Sequence, residues 1–397
     1  MTSAFHSSRP VDAAQGRQHG FSLVELMIAV TVSLIMMIAL GALLLSVNRN
    51  NNELIRTNSQ IENGRFAIQL LQTEVAQAGF WGPHVPDFDD RFATMPLLQV
   101  PTAVPDPCLA YSVAAWDAAH LNNLTGIPLQ ASTTVPGTCA GVVTGKKANT
   151  DVLVVRRADT CTPGEPNCTA LTAGQLYYQA SLCPMELSAG QRYLIGTSGL
   201  NLQAGACNGT LAPLRRFMSN IYWIRDFSET AGDGVPTLVR SQFGPGATPG
   251  PQAAEPLVEG IEGFNVELGI DSTVTRCALN TAVNYALAPA LVDPTTCAAS
   301  ATAANNTLPT NRGDGIADGA FIRCTTAAPC TPAQLMNVVA VKLYVLARTR
   351  EATPGHRDTK TYNLGTVTLG PFNDGFKRHV FTTTVRLVNI SGRRETP

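Results

Sequence analysis

The most prominent feature of the hydrophobic pattern is an uncharged apolar run at residues 26–47. An α-helix of this length covers about 33 Å at 1.5 Å per residue, enough to cross the hydrocarbon core of a bilayer. Residues 1–19 carry two arginines and two histidines against a single aspartate, and a positive segment before an apolar helix stays cytoplasmic. The pattern therefore predicts a membrane-spanning helix over residues 21–47, with the rest of the chain outside the cytoplasm.

A single carboxylate, Glu25, lies at the start of this apolar segment. An unpaired charge in the membrane costs roughly 2.5–3.5 kcal/mol on insertion scales. Cleavage between Gly20 and Phe21 would create an α-amine four residues from Glu25, either in the same chain or, in an assembly, in a neighbouring one. Because a buried ion pair is tolerable only when both partners are present, we interpret Glu25 as an assembly contact rather than a catalytic group.

The pattern after the apolar run is amphipathic and predicts that the helix continues over residues 48–82. Apolar residues recur at spacings of three, four and seven: Leu54, Ile61, Ile68, Leu71, Val75 and Ala78. Gly79 and Pro83 should end the helix, since glycine suits a left-handed C-terminal position and proline cannot extend it. Gly64 is predicted to be a weak point, and the polar residues 48–52 a place where the helix bends.

The remainder, residues 83–397, reads as a β-rich head. Period-two and β-branched runs predict strands at residues 151–157, 175–180, 192–195, 220–225, 237–242, 257–270, 338–349 and 379–388. Residues 83–150 and 276–332 lack sustained periodicity and are predicted to be inserted loop regions. We therefore expect an α+β fold, in which the helix packs on an antiparallel sheet.

All ten cysteines lie beyond the apolar helix, and their even number suits an oxidising compartment. None forms a C-x-x-C motif, so disulfides are favoured over a metal site. Cys161 with Cys168 and Cys324 with Cys330 are the favoured pairs because each closes a short proline-containing loop. The other pairs follow only as nearest neighbours: Cys108 with Cys139, Cys183 with Cys207 and Cys277 with Cys297.

Composition and motifs argue against other function classes. A net charge of −1 gives no electrostatic case for a nucleic-acid partner. The segment from Gly196 to Gly199 lacks the spacing of a nucleophile elbow, and the one from Gly145 to Lys147 lacks the first glycine and the hydroxyl residue of a P-loop. We predict no catalytic residues and no enzymatic activity.

One loop has residues that suit calcium. Asn311, Asp314 and Asp318 carry oxygen side chains in a glycine-rich segment, although the distal glutamate of an EF-hand is missing. Asp-Gly pairs are also common turn formers. The sequence therefore favours a simple turn and predicts no cofactor, with calcium as the alternative.

The N-terminal motif Gly20-Phe21-Ser22-Leu23-Val24-Glu25 resembles the class III signal of type IV prepilins and pseudopilins. The resemblance implies that residues 1–20 are a leader, that a prepilin peptidase cuts after Gly20 and methylates the Phe21 amine, and that Glu25 registers neighbouring subunits. The alternatives are a secretory signal cut near Gly41, which leaves the presence of Glu25 unexplained, and an uncleaved anchor, which leaves Glu25 without a partner.

Blocks further along resemble the PilW class of type IV minor pilins: Arg65-Phe66, Ala78-Gly79-Phe80, residues 257–262, residues 338–348 and residues 378–387. This resemblance implies an inner-membrane precursor with a periplasmic head that later joins a pilus at the cell surface and primes or caps it. Its implied partners are other minor pilins, the major pilin, the prepilin peptidase, the assembly platform and a tip adhesin. A type II secretion pseudopilin and a membrane-anchored periplasmic binding protein are the alternative functions.

Overall fold

The computed structural model describes residues 20–89, 99–276, 279–293, 295–300 and 308–395. The chain forms two compact units, one ending at Ile55 and the other beginning at Arg56. The described part of the first is helical. The second contains a β-rich head, and each unit is described by itself below.

The first long element is helix α1 (Leu23–Ala76). Among the described residues, it is the one helix that is long and apolar enough to cross a membrane. Within the second unit, its buried residues are Gln60, Gly64, Ala67, Ile68, Leu71 and Val75, whose spacing matches one helical face. Leu54, predicted on that face, is instead 60% exposed. Gly79 has a φ of +72° and follows the end of the helix, as predicted.

The other helices are short: α2 (Ala118–Gly126), α3 (Pro184–Ser188), α4 (Pro332–Leu335) and α5 (Val388–Arg394). The strands of the first half of the head are β1 (Leu129–Ser132), β2 (Val152–Ala158), β3 (Tyr177–Ala180), β4 (Tyr193–Gly196), β5 (Leu214–Arg225), β6 (Thr237–Gly244), β7 (Gly250–Pro251) and β8 (Glu255–Glu259). Those of the second half are β9 (Ile261–Ile270), β10 (Thr273–Arg276), β11 (Leu279–Ala282), β12 (Leu291–Val292), β13 (Ala299–Ser300), β14 (Leu308–Pro309), β15 (Val338–Arg348), β16 (Tyr362–Leu364), β17 (Val367–Leu369) and β18 (Arg378–Arg386).

Two antiparallel sheets dominate the head. Eight strands form the larger one, in the order β1-β2-β5-β3-β4, with β6 beside β5 and with β7 and β8 beside β6. The smaller sheet has the order β18-β15-β9. Smaller ladders join β10 to β11, β16 to β17, and β12 to both β13 and β14.

The main core lies where the head portion of α1 meets both sheets. Ala67 and Leu71 from the helix share one cluster with Leu153 of β2, Phe264 of β9 and Leu343 of β15, and all five are fully buried. The predicted packing of the helix on an antiparallel sheet is therefore confirmed. A second, aromatic cluster includes Trp81, Trp116 and Phe217.

The segment predicted as one strand at 257–270 is two strands in different sheets, so this prediction was wrong in detail. Strand β8 pairs with β6, whereas β9 pairs with β15. Gly260 separates them with a φ of +75°. A Cβ there would lie 2.8 Å from the Arg348 carbonyl oxygen, so only glycine allows the chain to pass from one sheet to the other.

Gly64 is a packing position rather than the predicted weak point of the helix. A Cβ at this position would lie 2.1 Å from Cε2 of Phe381 on β18. The missing side chain lets the phenylalanine ring sit directly against the helix backbone. The glycine thus exchanges about 1 kcal/mol of helix propensity for close contact between helix and sheet.

Candidate assembly site

The apolar half of α1 has its side chains open to the surroundings. In the structure residues 21–47 are exposed, except for half-buried Gly41. Leu26, Ile35 and Leu44 are 59%, 65% and 63% exposed. A helix that is apolar all round needs a lipid or protein environment, so this surface is the strongest candidate for assembly.

Hydroxyl groups within this segment are satisfied by the helix itself. Thr31 Oγ1 donates to the Ile28 carbonyl at 2.8 Å, and Ser33 Oγ donates to the Ala29 carbonyl at 2.7 Å. Such back-bonding lets hydroxyl residues enter hydrocarbon without unsatisfied donors. These two residues therefore do not oppose the membrane interpretation.

Glu25 caps the start of its own helix. Its Oε2 accepts a hydrogen bond from the Ser22 backbone N–H at 3.2 Å. Because the helix begins at Leu23, Ser22 is the N-cap and Glu25 is the third helical residue, which is the S-x-x-E pattern of a capping box. The carboxylate also complements the positive end of the helix dipole. The S-x-x-E spacing from Ser22 to Glu25 is the sequence signal for this local role, which is additional to the predicted assembly contact.

The bond between Gly20 and Phe21 lies just outside the helix. Both residues are exposed and non-helical, and no heavy atom lies within 4 Å of a Cβ built at Gly20. Among the described residues, the bond thus lies in exposed, non-helical backbone, and cleavage there remains a prediction. Residues 1–19, the rest of the predicted leader, lie outside the described residues.

Side chains on the head portion of α1 fix it to the sheets. The buried Gln60 donates from Nε2 to the Ala347 carbonyl at 2.8 Å, and Asn63 donates from Nδ2 to the Glu259 carbonyl at 3.2 Å. Ala347 belongs to the smaller sheet and Glu259 to the larger one. The helix is thus bonded to both sheets.

A buried arginine joins the C-terminal helix to the body of the head. Arg394 lies 2.7 Å from Asp89 and 3.2 Å from Asp271, and it donates to Asn337 at 2.9 Å. Burial raises the pKa of Asp271, and Arg394 partly offsets this rise. Burial alone would lower the arginine pKa, but Asp89 first, then Tyr285 and Asp271, raise it. The network thus ties α5 to Asp89 and Asp271.

The calcium candidates have local hydrogen-bond partners. Asn311 Oδ1 accepts from the Ala290 N–H, and Asp314 Oδ1 accepts from the Ile316 N–H. Asp318 Oδ2 accepts from the N–H groups of Ser272 and Thr273, both at 2.7 Å. These are turn-forming contacts, and calcium remains the untested alternative.

Within the described residues, one group of three potential metal ligands comes together, and it is a different one: Asp106, Cys108 and Cys139. The two cysteines are bonded to each other, so their sulfurs are not available as thiolate ligands. Asp106 instead accepts the N–H groups of Cys108 and Thr138. The carboxylate supports the disulfide-closed loop.

Four of the expected cysteine pairs are joined in the structure: Cys108–Cys139, Cys161–Cys168, Cys183–Cys207 and Cys324–Cys330. The fifth includes Cys277, which lies outside the described residues. The four bonds all close loops in or next to the predicted insertions and the lobe built around β3 and β4. They constrain segments that have little regular structure of their own.

His84 is a core residue. It packs on Tyr193 with ring centroids 4.7 Å apart. Burial, followed by the charges of Arg393 and Arg192, lowers its pKa to about 3. It is therefore neutral at physiological pH and serves packing rather than proton transfer.

Two separate segments of the chain match known family models. Residues 15–41 match the prokaryotic N-terminal methylation motif, and residues 221–389 match the family model of type IV pilus-assembly protein W. The chain resembles the PilW family. The second match begins within β5 and ends in α5, so it includes the smaller sheet and leaves residues 83–220 outside. Pilins are structural proteins in general, and the resemblance supports a pilus-related role with membrane anchoring.

A type IV-like pilin from Thermus thermophilus is a distant structural match, with 12% identity and a TM-score of 0.28. The alignment covers 83% of this chain and 97% of the other. No curated protein sequence matches the chain.

Proposed function

We propose that this protein is a minor pilin that primes or caps a type IV pilus through its N-terminal helix. The observation that carries the proposal is the exposed apolar surface of residues 21–47, with Glu25 at its N-terminal end. Pilus membership is favoured over a secretion system because the PilW model matches the head. The partners on this proposal are other minor pilins, the major pilin, the peptidase, the assembly platform and a tip adhesin.

The proposed sequence of events begins with cleavage after Gly20 at the cytoplasmic side of the inner membrane. The new Phe21 amine, methylated by the same peptidase, then lies close to Glu25 of its own or a neighbouring chain. Two opposite charges at about 4 Å attract by about 4 kcal/mol at an effective dielectric constant of 20. This attraction offsets the cost of holding the carboxylate in lipid and favours an arrangement in which helices lie side by side.

Glu25→Ala tests this role. We expect the variant to keep a folded head, because Glu25 belongs to the unit that ends at Ile55 and the head to the other unit. We expect it to lose most of its incorporation into sheared pili, measured by quantitative mass spectrometry. Glu62→Ala is the matched control, since Glu62 is an exposed acid on the same helix. Normal incorporation of Glu25→Ala would contradict the proposal.

A further inference from the structure

The smaller sheet ends at an open edge. Among the described residues, β18 pairs only with β15, and the register runs without a bulge from Arg378 opposite Arg348 to Arg386 opposite Ala340. Just beyond the strand, the Leu387 N–H donates to the Val339 carbonyl. The backbone groups of successive strand residues point alternately to the two neighbouring sides. Because Leu387 bonds to β15, the odd-numbered residues of β18 also turn their N–H and C=O groups towards β15.

The even-numbered residues therefore turn their backbone groups away from the sheet. Val380, Thr382 and Thr384 offer three N–H donors and three carbonyl acceptors along one line. In the described part of the chain, no backbone segment pairs with them. This is the arrangement that accepts an added strand.

The edge lacks the features with which proteins usually block such pairing. From Val380 to Val385 the sequence is Val-Phe-Thr-Thr-Thr-Val, with no charge, proline or glycine, and with high β propensity throughout. Arg378 is buried and bound to Glu262 and Asp358 at 2.5 and 2.8 Å. Its charge is therefore not available to repel an incoming strand.

The strand is also held in one position, which reduces the entropic cost of binding. Phe381 packs against Gly64 of the helix, and Val385 is 4% exposed. Thr382 and Thr384 lie on the opposite, exposed face. A partner strand thus meets a fixed row of hydrogen-bonding groups with small side chains beside it.

We infer that β18 binds an extended segment of a different polypeptide by strand addition. The segment would be uncharged and β-branched at its centre, to match the uncharged run from Val380 to Val385. A second copy is disfavoured because antiparallel self-pairing has two-fold symmetry, whereas subunits of a polar filament share one direction. This last step rests on the proposed function.

A peptide probe tests the inference on the full-length protein in detergent. The probe is labelled Glu-Thr-Val-Thr-Val-Thr-Glu, and its control carries proline at both valines and cannot pair. Thr384→Pro removes an outward N–H while leaving the bonds to β15 intact, and proline is tolerated at such edge positions. Thr384→Val keeps the N–H and is the matched control. We expect saturable anisotropy binding to the wild type and to Thr384→Val, and a loss of about tenfold or more in Thr384→Pro.

Thr382→Pro provides a second outward-facing position if Thr384→Pro fails to fold. Equal binding by either folded proline variant and the wild type, or no saturable binding to the wild type, would overturn the inference. A wild-type dimer in sedimentation that the proline variant converts to a monomer would overturn the choice of partner. Glu25→Ala should bind the probe normally, which separates failure of this surface from failure of the helix contact.

Discussion

Replacement of Arg394 by methionine should be among the most destabilising single changes in the head. The arginine side chain is 3% exposed, and its partners Asp89 and Asp271 are 2% and 0% exposed. Methionine keeps part of the apolar stem but leaves Asp271 without its arginine and Asp89 with only Arg393, 3.4 Å away. Breaking a buried pair in this way costs about 3–5 kcal/mol.

The matched control is Arg386→Met. Arg386 pairs with Glu395 where both side chains are about half exposed, and such surface pairs contribute at most about 1 kcal/mol. Denaturant unfolding of the full-length protein in detergent, followed by tryptophan fluorescence, reports on the head because Trp81, Trp116 and Trp223 all lie there. Similar losses for the two variants would refute the buried-network interpretation.

The deficit of Arg394→Met should also depend on pH. Burial raises the pKa of Asp271 in the folded state, and Arg394 partly offsets this effect. Without the arginine, the folded-state pKa rises further above the unfolded value. An acid with a raised folded pKa destabilises the protein when ionised, and this penalty fades as the pH falls towards the unfolded pKa of about 4. The deficit should therefore be larger at pH 8 than at pH 5, and adding Asp271→Asn should reduce it.

Three further changes test separate contacts. Gly64→Ala should overpack the helix against Phe381 at a cost of about 1–3 kcal/mol, partly offset by a gain of about 1 kcal/mol in helix propensity. In a Phe381→Leu background the same substitution should stabilise the protein. Thermal melts that show the same sign of the stability change in both backgrounds would contradict the contact. Asp233 accepts hydrogen bonds from backbone N–H groups, which hold its pKa at about 2. In an NMR titration its loop should therefore stay ordered down to pH 3 and loosen only as the pH falls through 2. A normal aspartate pKa would disprove the turn. Replacement of Cys108 and Cys139 by serine opens a loop with a sequence separation of 31. The free energy of unfolding, measured with denaturant, should fall by about 2–4 kcal/mol. An unchanged free energy of unfolding would mean that this disulfide does not stabilise the fold.

The features that can be predicted from the sequence are those with a repeated local pattern. The apolar run, the amphipathic continuation and the Gly79 stop each follow from spacing along one helix. Strand β15 is predictable because apolar residues dominate it with β-branched enrichment, and β18 because its apolar and polar residues alternate. Nearest-neighbour pairing of cysteines also agrees with the four joined pairs in the described residues.

Features that depend on contact between distant segments were missed. Gly260 reads as one residue of a continuous strand, and only the approach of Arg348 explains why it must be glycine. Gly64 looked weak because the ring of Phe381, more than three hundred residues away, is not visible from local sequence. Arg312 lies in a predicted insertion yet is 5% exposed, since its guanidinium binds the carbonyls of Asn284 and Leu287.

The site itself was only partly predictable. Glu25 stood out because a charge in an apolar run needs an explanation, but its cap on Ser22 was not considered. The open edge of β18 could not be found from sequence, because which strand is outermost depends on the order of pairing in the sheet. Sheet order is set by packing between segments far apart in the chain.

The most direct test of the assembly proposal is intact-mass and N-terminal peptide analysis of the protein purified from the membranes and pili of its native bacterium. The proposal predicts a chain that begins at Phe21 and carries one added methyl group on its amine. A chain that retains residues 1–20 would leave Glu25 without the Phe21 amine, and one cut near Gly41 would lack Glu25 altogether; either result would contradict the account.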